Sequence, residues 1–227
     1  MSAQHDPEAS AAEWRLAGRQ RAWVYGWFST LYAAELSDAM LTAYLAGEAA
    51  PLLGGLCALG LDAEVGRFQA ALEALRDVPL ARLELAADFA QMFLLDLESG
   101  APPYASVYAG DDPRFCGAAE AQMRQFLAVA SRSIEPRFKE PADHLAVYLA
   151  LMRHLLEAHA DTSAIEPAAH DQADALQGAL LDWLPKFVER HQRSGPQFDF
   201  YPALAALLLA FVQRDAMMLR DAAIQAA

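Results

Sequence analysis

A cluster of polar side chains that could bind a ligand lies in the stretch from Glu140 to Tyr148. Within five residues the chain carries two carboxylates and an imidazole, on Glu140, Asp143 and His144, and an apolar run follows directly. Pro141 suits the first position of a helix, because the N–H that proline lacks would have no partner there. Asp143 would then lie near the positive end of the helix dipole, and His144 one turn after Glu140 and within reach of it. Polar groups at the start of a buried helix indicate a docking site rather than a complete catalytic site.

Catalytic and metal-binding patterns are not found in the sequence. The histidines form no HExxH motif and no paired Glu-x-x-His motifs on separate helices, which a di-metal helical site would need. Cys57 and Cys116 stand apart without CxxC spacing, so no zinc or redox motif is predicted. A reduced pair is the simpler interpretation, and a disulfide between them stays open. The sequence also lacks a glycine-rich phosphate loop. We therefore predict that the protein is not an enzyme and has no catalytic residue, no metal and no stably bound cofactor.

The charge of the chain restricts its partners. The formal net charge is −13, which argues against binding to nucleic acid and to anionic membrane surfaces and suits basic peptides. The first residues show no secretory signal, and the longest apolar run, 203–212, is about half of what a membrane span needs. We expect a cytoplasmic protein without membrane insertion.

The elements that must position the polar cluster are all helical. The chain is 55% hydrophobic, alanine and leucine dominate, and β-branched residues are sparse. We predict an all-α fold, a bundle of about ten helices in two parts, with an N-terminal part over 1–98, a hinge loop over 99–117 and a C-terminal part over 118–227. Helices are predicted from periodicity and breakers at 13–36, 38–45, 63–75, 80–97, 118–131, 141–158, 171–193 (bent near Leu184-Pro185) and 201–223, with helical pieces between Gly47 and Gly66.

Five sequence blocks match a known family in order and at its spacing. They are Arg82 to Phe89, Pro103-Tyr104-Ala105-Ser106, Glu140 to Tyr148, Trp183-Leu184-Pro185 with Phe187, and Phe200-Tyr201. With these blocks the chain resembles the TorD/DmsD family of cytoplasmic chaperones, which serve molybdenum-containing reductases. The resemblance runs from about residue 21 to residue 215. Within the family, the blocks are most similar to members that serve trimethylamine N-oxide reductase.

The resemblance implies a function. Family members bind the twin-arginine signal peptide and the apo form of a molybdenum reductase, and they favour insertion of the molybdenum cofactor before export. A dimethyl sulfoxide or nitrate reductase as client, or a non-catalytic helical adaptor, stays open as an alternative. The fold it implies has two helical parts joined at a hinge, as a monomer or a domain-swapped dimer. Some relatives are associated with guanine nucleotide binding, and nothing here localises such a site.

The resemblance also places peptide-binding positions on this chain. They fall on an aromatic stretch, on the hinge loop and on the polar cluster: Phe89, Met92, Phe93, Tyr104, Ser106, Glu140, Pro141, Asp143 and His144. Relatives often have Trp-x-x-Leu-Phe where this chain has Phe89-x-x-Met92-Phe93, so the apolar character is kept and the shape differs. A basic, moderately apolar leader needs an apolar groove with an acidic rim. We expect the rim to comprise Glu140, Asp143 and Asp88.

Each of these residues also has a purely structural interpretation. Asp143 and Glu140 would stabilise a helix start, and His144 would be a partly buried histidine bonded to Glu140. Phe89 and Phe93 would be core residues, and Tyr104 would pack the hinge loop. The negative charge of the chain would then serve solubility.

Overall fold

The computed structural model describes residues 7–95, 99–109, 117–161 and 167–226. Over these ranges it contains ten α-helices, which confirms the predicted all-α class and the number of helices. They are α1 (Pro7–Ala33), α2 (Asp38–Leu45), α3 (Ala50–Ala58), α4 (Asp62–Glu73), α5 (Ala81–Phe89), α6 (Ala118–Val129), α7 (Leu145–Asp161), α8 (Pro167–Leu181), α9 (Leu184–Arg193) and α10 (Phe200–Ala226). A π-helix, Ala90–Leu95, extends α5, and a short 3-10 helix spans Ala105–Val107.

Helices from both halves of the chain share one hydrophobic core. The long helix α1 packs along α7, and α4 packs against α10. Helix α10 also contacts α8 and α9 and contributes buried side chains between Phe200 and Ala216, among them Leu204 and Phe211. Residues 96–98 and 110–116 lie outside the described ranges, so the predicted hinge and the boundaries at 98 and 117 stay predictions.

The second helix begins and ends where the sequence predicts. Ser37 has an extended backbone, and its hydroxyl accepts a hydrogen bond from the N–H of Met40 (3.2 Å), as expected of a capping residue. The glycine-containing region that follows forms α3, and Gly47 and Gly60, both with positive φ, lie on either side of it. No single helix in the described ranges is long and apolar enough to cross a membrane. Within the part of the chain that the structure describes, one pair of helices, α2 and α3, bent by 60°, meets that test by length and composition.

Two predicted helices are each split into two elements. The helix predicted over 80–97 is α-helical only to Phe89 and continues as the π-helix, a form that is frequent at functional sites. The helix predicted over 171–193 breaks between Leu181 and Leu184, which confirms the bend. Pro185 explains the break, because it cannot donate a backbone hydrogen bond and is tolerated only in the first turn of α9.

The prediction that a helix begins at Pro141 is wrong. Helix α7 begins at Leu145, four residues later. The preceding backbone pairs with a distant segment instead: the N–H of Ala105 donates to the carbonyl of Asp143 (3.0 Å), and the N–H of Leu145 donates to the carbonyl of Pro103 (2.7 Å). These bonds hold residues 141–144 in a turn, so Pro141 and Asp143 are not in the first turn of a helix.

A buried polar clamp joins α1, α8 and α10. The carboxylate of Asp215 on α10 accepts hydrogen bonds from the guanidinium of Arg21 (Nη2–Oδ2 3.0 Å), from the hydroxyl of Tyr25 (2.8 Å) and from the amide of Gln177 (2.8 Å). Asp215 is only 2% exposed. The carboxylate is therefore saturated with donors from two other helices, and it fixes their positions relative to α10.

An aromatic cluster, made of Tyr32, Phe89, Phe93, Phe187, His191 and Tyr201, fills the space between the π-helix and α9. His191 is fully buried in it. Its Nδ1–H donates to the carbonyl of Phe187 (3.0 Å), and its Nε2 has no partner. Burial lowers the pKa of this imidazole to about 3.

We predict that His191 makes the fold sensitive to acid. A histidine in the unfolded chain has a pKa of about 6.5. As the pH falls below that value, the unfolded chain therefore binds a proton that His191 in the folded chain does not bind. The free energy of unfolding should therefore fall with decreasing pH by about 1.4 kcal/mol per pH unit from this residue. Urea unfolding at pH 7, 6, 5 and 4 should show that His191→Leu reduces this slope by about one proton. An unchanged slope would contradict the assignment.

Candidate functional site

Two distant segments meet at what we call the loop–turn site, formed by residues 103–106 and 140–144. The two backbone hydrogen bonds between the segments enclose an isolated antiparallel bridge between Tyr104 and His144. This pairing brings together the side chains that the sequence placed in two separate blocks, those of Tyr104, Ser106, Glu140, Asp143 and His144. The site is thus assembled by contacts between segments that are about 40 residues apart in the sequence.

Asp143 lies at the centre of the loop–turn site and is inaccessible to solvent. Its Oδ2 accepts a hydrogen bond from the N–H of Ser106 (2.8 Å), while its Oδ1 has no partner. The hydroxyl of Ser106 is also buried without a partner. A buried polar atom without a hydrogen bond costs about 1–3 kcal/mol. The site therefore has unused capacity to accept a hydrogen bond from an incoming N–H group.

Glu140 was expected to pair with His144, but it pairs with Tyr104 instead. The hydroxyl of Tyr104 donates to Oε2 of Glu140 (2.6 Å). Burial, and then this bond, raise the pKa of the Tyr104 hydroxyl well above its ordinary range. Glu140 remains partly exposed, so it is the carboxylate of this site that solvent and a ligand reach first.

His144 is a neutral, immobilised part of the site. Its ring packs edge-on against Tyr104 (5.1 Å between centroids) and Phe138 (5.2 Å). Nδ1 accepts a hydrogen bond from the N–H of Ala146 (3.1 Å), and burial lowers the pKa to about 4. The carbonyl of Pro141 accepts the N–H of His144 (3.2 Å), which closes the turn. Phe138 is a neighbour that sequence reasoning did not include.

Phe89, Met92 and Phe93 are core residues in this structure. They are 6%, 0% and 4% exposed, and the rings of Phe89 and Phe93 contact each other (4.8 Å) and Tyr201 (5.6 and 5.3 Å). The N–H of Ala101 donates to the carbonyl of Met92 (2.6 Å), so this hydrogen bond joins the π-helix to the segment just before the loop–turn site. The three side chains are buried and do not form an open groove.

The prediction of an acidic rim is wrong for two of the three residues, Asp88 and Asp143. Asp88 is 3% exposed, and its two oxygens accept the backbone N–H groups of Gln197 (2.8 Å) and Phe198 (2.9 Å). It therefore caps the loop before α10. Asp143 is buried as described above. Only Glu140 is exposed enough to serve as a rim residue.

Two surface clefts were not predicted. One, of about 650 Å³, lies where α1, α2 and α7 meet and contains Trp23, Trp27 and Tyr44. The other, of about 440 Å³, we call the α9 cleft; Ser99 and Tyr108 line it together with Lys186, Glu189, Arg190 and Arg193 of α9. Its three cations, at positions 186, 190 and 193, are spaced along one helix face, and this spacing is visible in the sequence.

The chemistry available at the loop–turn site is binding. In the described ranges no three His, Cys, Asp or Glu side chains are grouped so that they could hold a metal ion. The site instead offers a buried carboxylate oxygen, a hydroxyl, an exposed carboxylate and the aromatic faces of Tyr104 and Phe138. Such a set suits a peptide with cationic and apolar side chains.

Comparison with known proteins identifies the family. The family model for the nitrate reductase delta subunit matches residues 58–189, more than half of the chain. A protein of Psychrobacter sp. (strain PRwf-1) named "Chaperone protein TorD" is 40% identical over 94% of this chain and 98% of its own length. A protein of the same name in Vibrio cholerae is 38% identical over 89% of this chain and 93% of its own length. Another, in Actinobacillus pleuropneumoniae, is 36% identical over 88% of this chain and 96% of its own length.

The names of these relatives are those of chaperones, which confirms the prediction that the protein is not an enzyme. The matches extend well beyond the five blocks on which the resemblance was first based, and they cover both the π-helix and the loop–turn site. The chain belongs to the TorD family of chaperones.

Proposed function

We propose that this chaperone binds the twin-arginine signal peptide and the apo form of a molybdenum reductase, and that it favours cofactor insertion before export. The client in this proposal is trimethylamine N-oxide reductase, and the place of action is the cytoplasm. The names of the relatives support the TorD assignment. A nitrate reductase is the second candidate client, because the matching family model is described as a nitrate reductase subunit.

The observation that carries the proposal is the unpaired oxygen of Asp143. A carboxylate with one oxygen bonded to a backbone N–H and the other buried without a partner is prepared for a strong donor. A guanidinium is the donor of choice, since its planar N–H groups match a carboxylate and it stays charged when it is desolvated. The Ser106 hydroxyl, also without a partner, lies on the residue that already bonds Asp143.

Access to Asp143 requires movement of the loop. The carboxylate is inaccessible to solvent, and segment 103–106 is joined to it by the N–H of Ser106 and held by the two backbone bonds to Asp143 and Leu145. In the proposal, the leader either displaces this segment or binds alongside it. Glu140, at the exposed edge, attracts the basic part of the leader first, and it exchanges its bond to Tyr104 for one to an arginine.

The apolar part of the leader needs a second surface. Tyr104 and Phe138 flank His144, which is neutral at physiological pH because burial lowers its pKa to about 4. A neutral imidazole does not repel the arginines of the leader. In the proposal, the buried side chains of Met92 and Phe93 join this apolar surface only after a rearrangement that exposes them. This arrangement supports a site that is acidic at its edge and apolar in its depth.

Capture of the reductase tests the proposal. The chaperone should retain apo-reductase carrying its leader, retain cofactor-loaded reductase less, and bind a leader peptide in which both arginines are lysines more weakly. The weaker binding of the lysine form follows because lysine cannot bond bidentately. The matched control is the same apo-reductase without its leader. Equal retention of apo and loaded reductase would instead support a helical adaptor.

A further inference from the structure

A hydrogen bond joins the two ends of the loop that contributes to the loop–turn site. The hydroxyl of Tyr108 donates to the backbone carbonyl of Pro102 (2.9 Å), six residues earlier in the chain. We call this segment the 102–108 loop; it includes residues 103–106, which pair with the turn at 140–144. Both Tyr108 and Pro102 are buried. Water therefore competes poorly for the bond, which closes the loop at its base.

The ring and backbone of Tyr108 are fixed to the helical body at the start of α9. The ring stacks on Trp183 (5.7 Å between centroids, 17° between planes) and meets Phe187 edge-on (5.9 Å, 88°). Such aromatic pairs contribute beyond the burial of the rings. The carbonyl of Tyr108 accepts a hydrogen bond from Nζ of Lys186 (3.1 Å). Tyr108 is thus an anchor, and its hydroxyl attaches Pro102 to that anchor.

A short stretch of backbone connects this anchor to the loop–turn site. The N–H of Tyr108 donates to the carbonyl of Ala105 (3.0 Å), next to the short 3-10 helix. Ser106, whose N–H donates to Oδ2 of Asp143, lies within this turn. A movement of Ser106 away from Asp143 therefore changes the path of the chain between Pro102 and Tyr108.

The other end of the 102–108 loop also has an attachment to the body. The N–H of Ala101 donates to the carbonyl of Met92 on the π-helix (2.6 Å). The two ends of the loop are therefore held to different helices and joined to each other by the Tyr108 hydroxyl. The segment between them has little freedom to move away from Asp143 while that bond is intact.

We propose that Tyr108 is a positioning residue for the loop–turn site, and that its bond to Pro102 limits how often segment 103–106 moves away from Asp143. This inference rests on the proposed function, in the form in which the leader displaces that segment. Tyr108 does not contact the leader in this mechanism. It sets the fraction of molecules in which Asp143 is accessible, and the association rate of the leader is proportional to that fraction.

Tyr108→Phe separates the role of the hydroxyl from that of the ring. Phenylalanine keeps the contacts to Trp183 and Phe187 and loses the donor to Pro102. A hydrogen bond of this kind shifts an equilibrium by about two- to tenfold. The expected result is that the open form of the 102–108 loop becomes more populated by that factor.

Amide hydrogen exchange of the full chain, without any ligand, measures this opening directly. The N–H groups of Ala105 and Ser106 should exchange about two- to tenfold faster in Tyr108→Phe, because both are bonded to Asp143 in the closed loop. A hydroxyl that only stabilises the fold as a whole would instead accelerate exchange in the core of α10, for example at Leu204, and leave Ala105 and Ser106 unchanged.

Stopped-flow association of a labelled synthetic twin-arginine leader peptide measures the consequence for binding. The association rate should rise in Tyr108→Phe by the same factor as the exchange rate. The dissociation rate should stay the same, because the leader leaves from the open loop, in which the bond to Pro102 is already broken.

Tyr32→Phe is the matched control. Tyr32 is also a buried tyrosine whose ring contacts Phe187 (5.8 Å), but its hydroxyl has no hydrogen-bond partner among the described residues. Its substitution should change neither rate. The proposal is overturned if Tyr108→Phe leaves exchange at Ala105 and Ser106 unchanged, or if exchange rises and leader association does not. A chain that binds no leader would overturn the proposed function, and the exchange result would still decide whether Tyr108 restrains the loop.

Discussion

Replacing Asp215 by alanine is expected to lower the free energy of unfolding by about 3–5 kcal/mol. The carboxylate is 2% exposed and accepts hydrogen bonds from three side chains, those of Arg21, Tyr25 and Gln177. Its removal leaves the guanidinium of Arg21, which is only 14% exposed, without the carboxylate to which it is hydrogen-bonded. The buried hydroxyl of Tyr25 loses its acceptor at the same time, and the amide of Gln177 keeps only its bond to that hydroxyl.

The size of this loss follows from the position of the clamp. Arg21 and Tyr25 lie on α1, Gln177 lies on α8, and Asp215 lies on α10, so a single carboxylate links three helices. Water cannot replace the lost bonds unless these helices separate. A buried charge that has lost its partner costs more than the intact pair contributes, because the desolvation penalty of the remaining charge is no longer offset.

Urea unfolding at neutral pH measures the effect, and Glu157→Ala is the control. Glu157 also belongs to an arginine–carboxylate pair, with Arg153, but these side chains are 43% and 54% exposed. Its substitution should cost less than about 0.5 kcal/mol. If Asp215→Ala and Glu157→Ala lowered stability equally, burial of the clamp would not be what makes it important.

The helices were predictable where local signals agree. Ser37 before an apolar-periodic segment gave the start of α2, and Pro185 gave the break before α9. Pro141 misled the prediction because its local preference for a helix start competes with backbone bonds from Ala105 and Leu145, whose partners are near in space and distant in sequence. Periodicity alone cannot reveal such pairing.

The sequence predicted that certain candidate residues belong together, but it did not predict how exposed they are. Tyr104, Ser106 and Asp143 were named from sequence blocks, and the structure brings them together. Asp88 was expected to form part of an acidic rim beside a peptide groove, and it is buried instead. Its partners, the backbone N–H groups of Gln197 and Phe198, lie more than a hundred residues away along the chain. The sequence alone does not reveal which carboxylate accepts hydrogen bonds from them.

Replacing Asp143 by asparagine is expected to weaken binding of a twin-arginine leader peptide by about 10- to 100-fold. Asparagine keeps an acceptor for the N–H of Ser106 and nearly the same volume, so the turn should persist. The substitution removes the negative charge that the proposal pairs with an arginine, and a hydrogen bond to a charged group is worth about 1.5–3 kcal/mol. Calorimetric titration of leader into chaperone measures the loss.

Glu135→Gln separates this effect from a general change in charge. Glu135 is exposed and lies eight residues before Asp143, so its substitution alters the net charge equally without touching the site. Affinity should change little, and what change occurs should disappear as salt is raised, since exposed charges are screened. The loss caused by Asp143→Asn should persist at moderate salt, because a buried pair is screened much less. Equal affinities of Asp143→Asn and the unmodified chain at both salt concentrations would remove Asp143 from the site, and with it the reason for expecting arginine rather than lysine in the ligand.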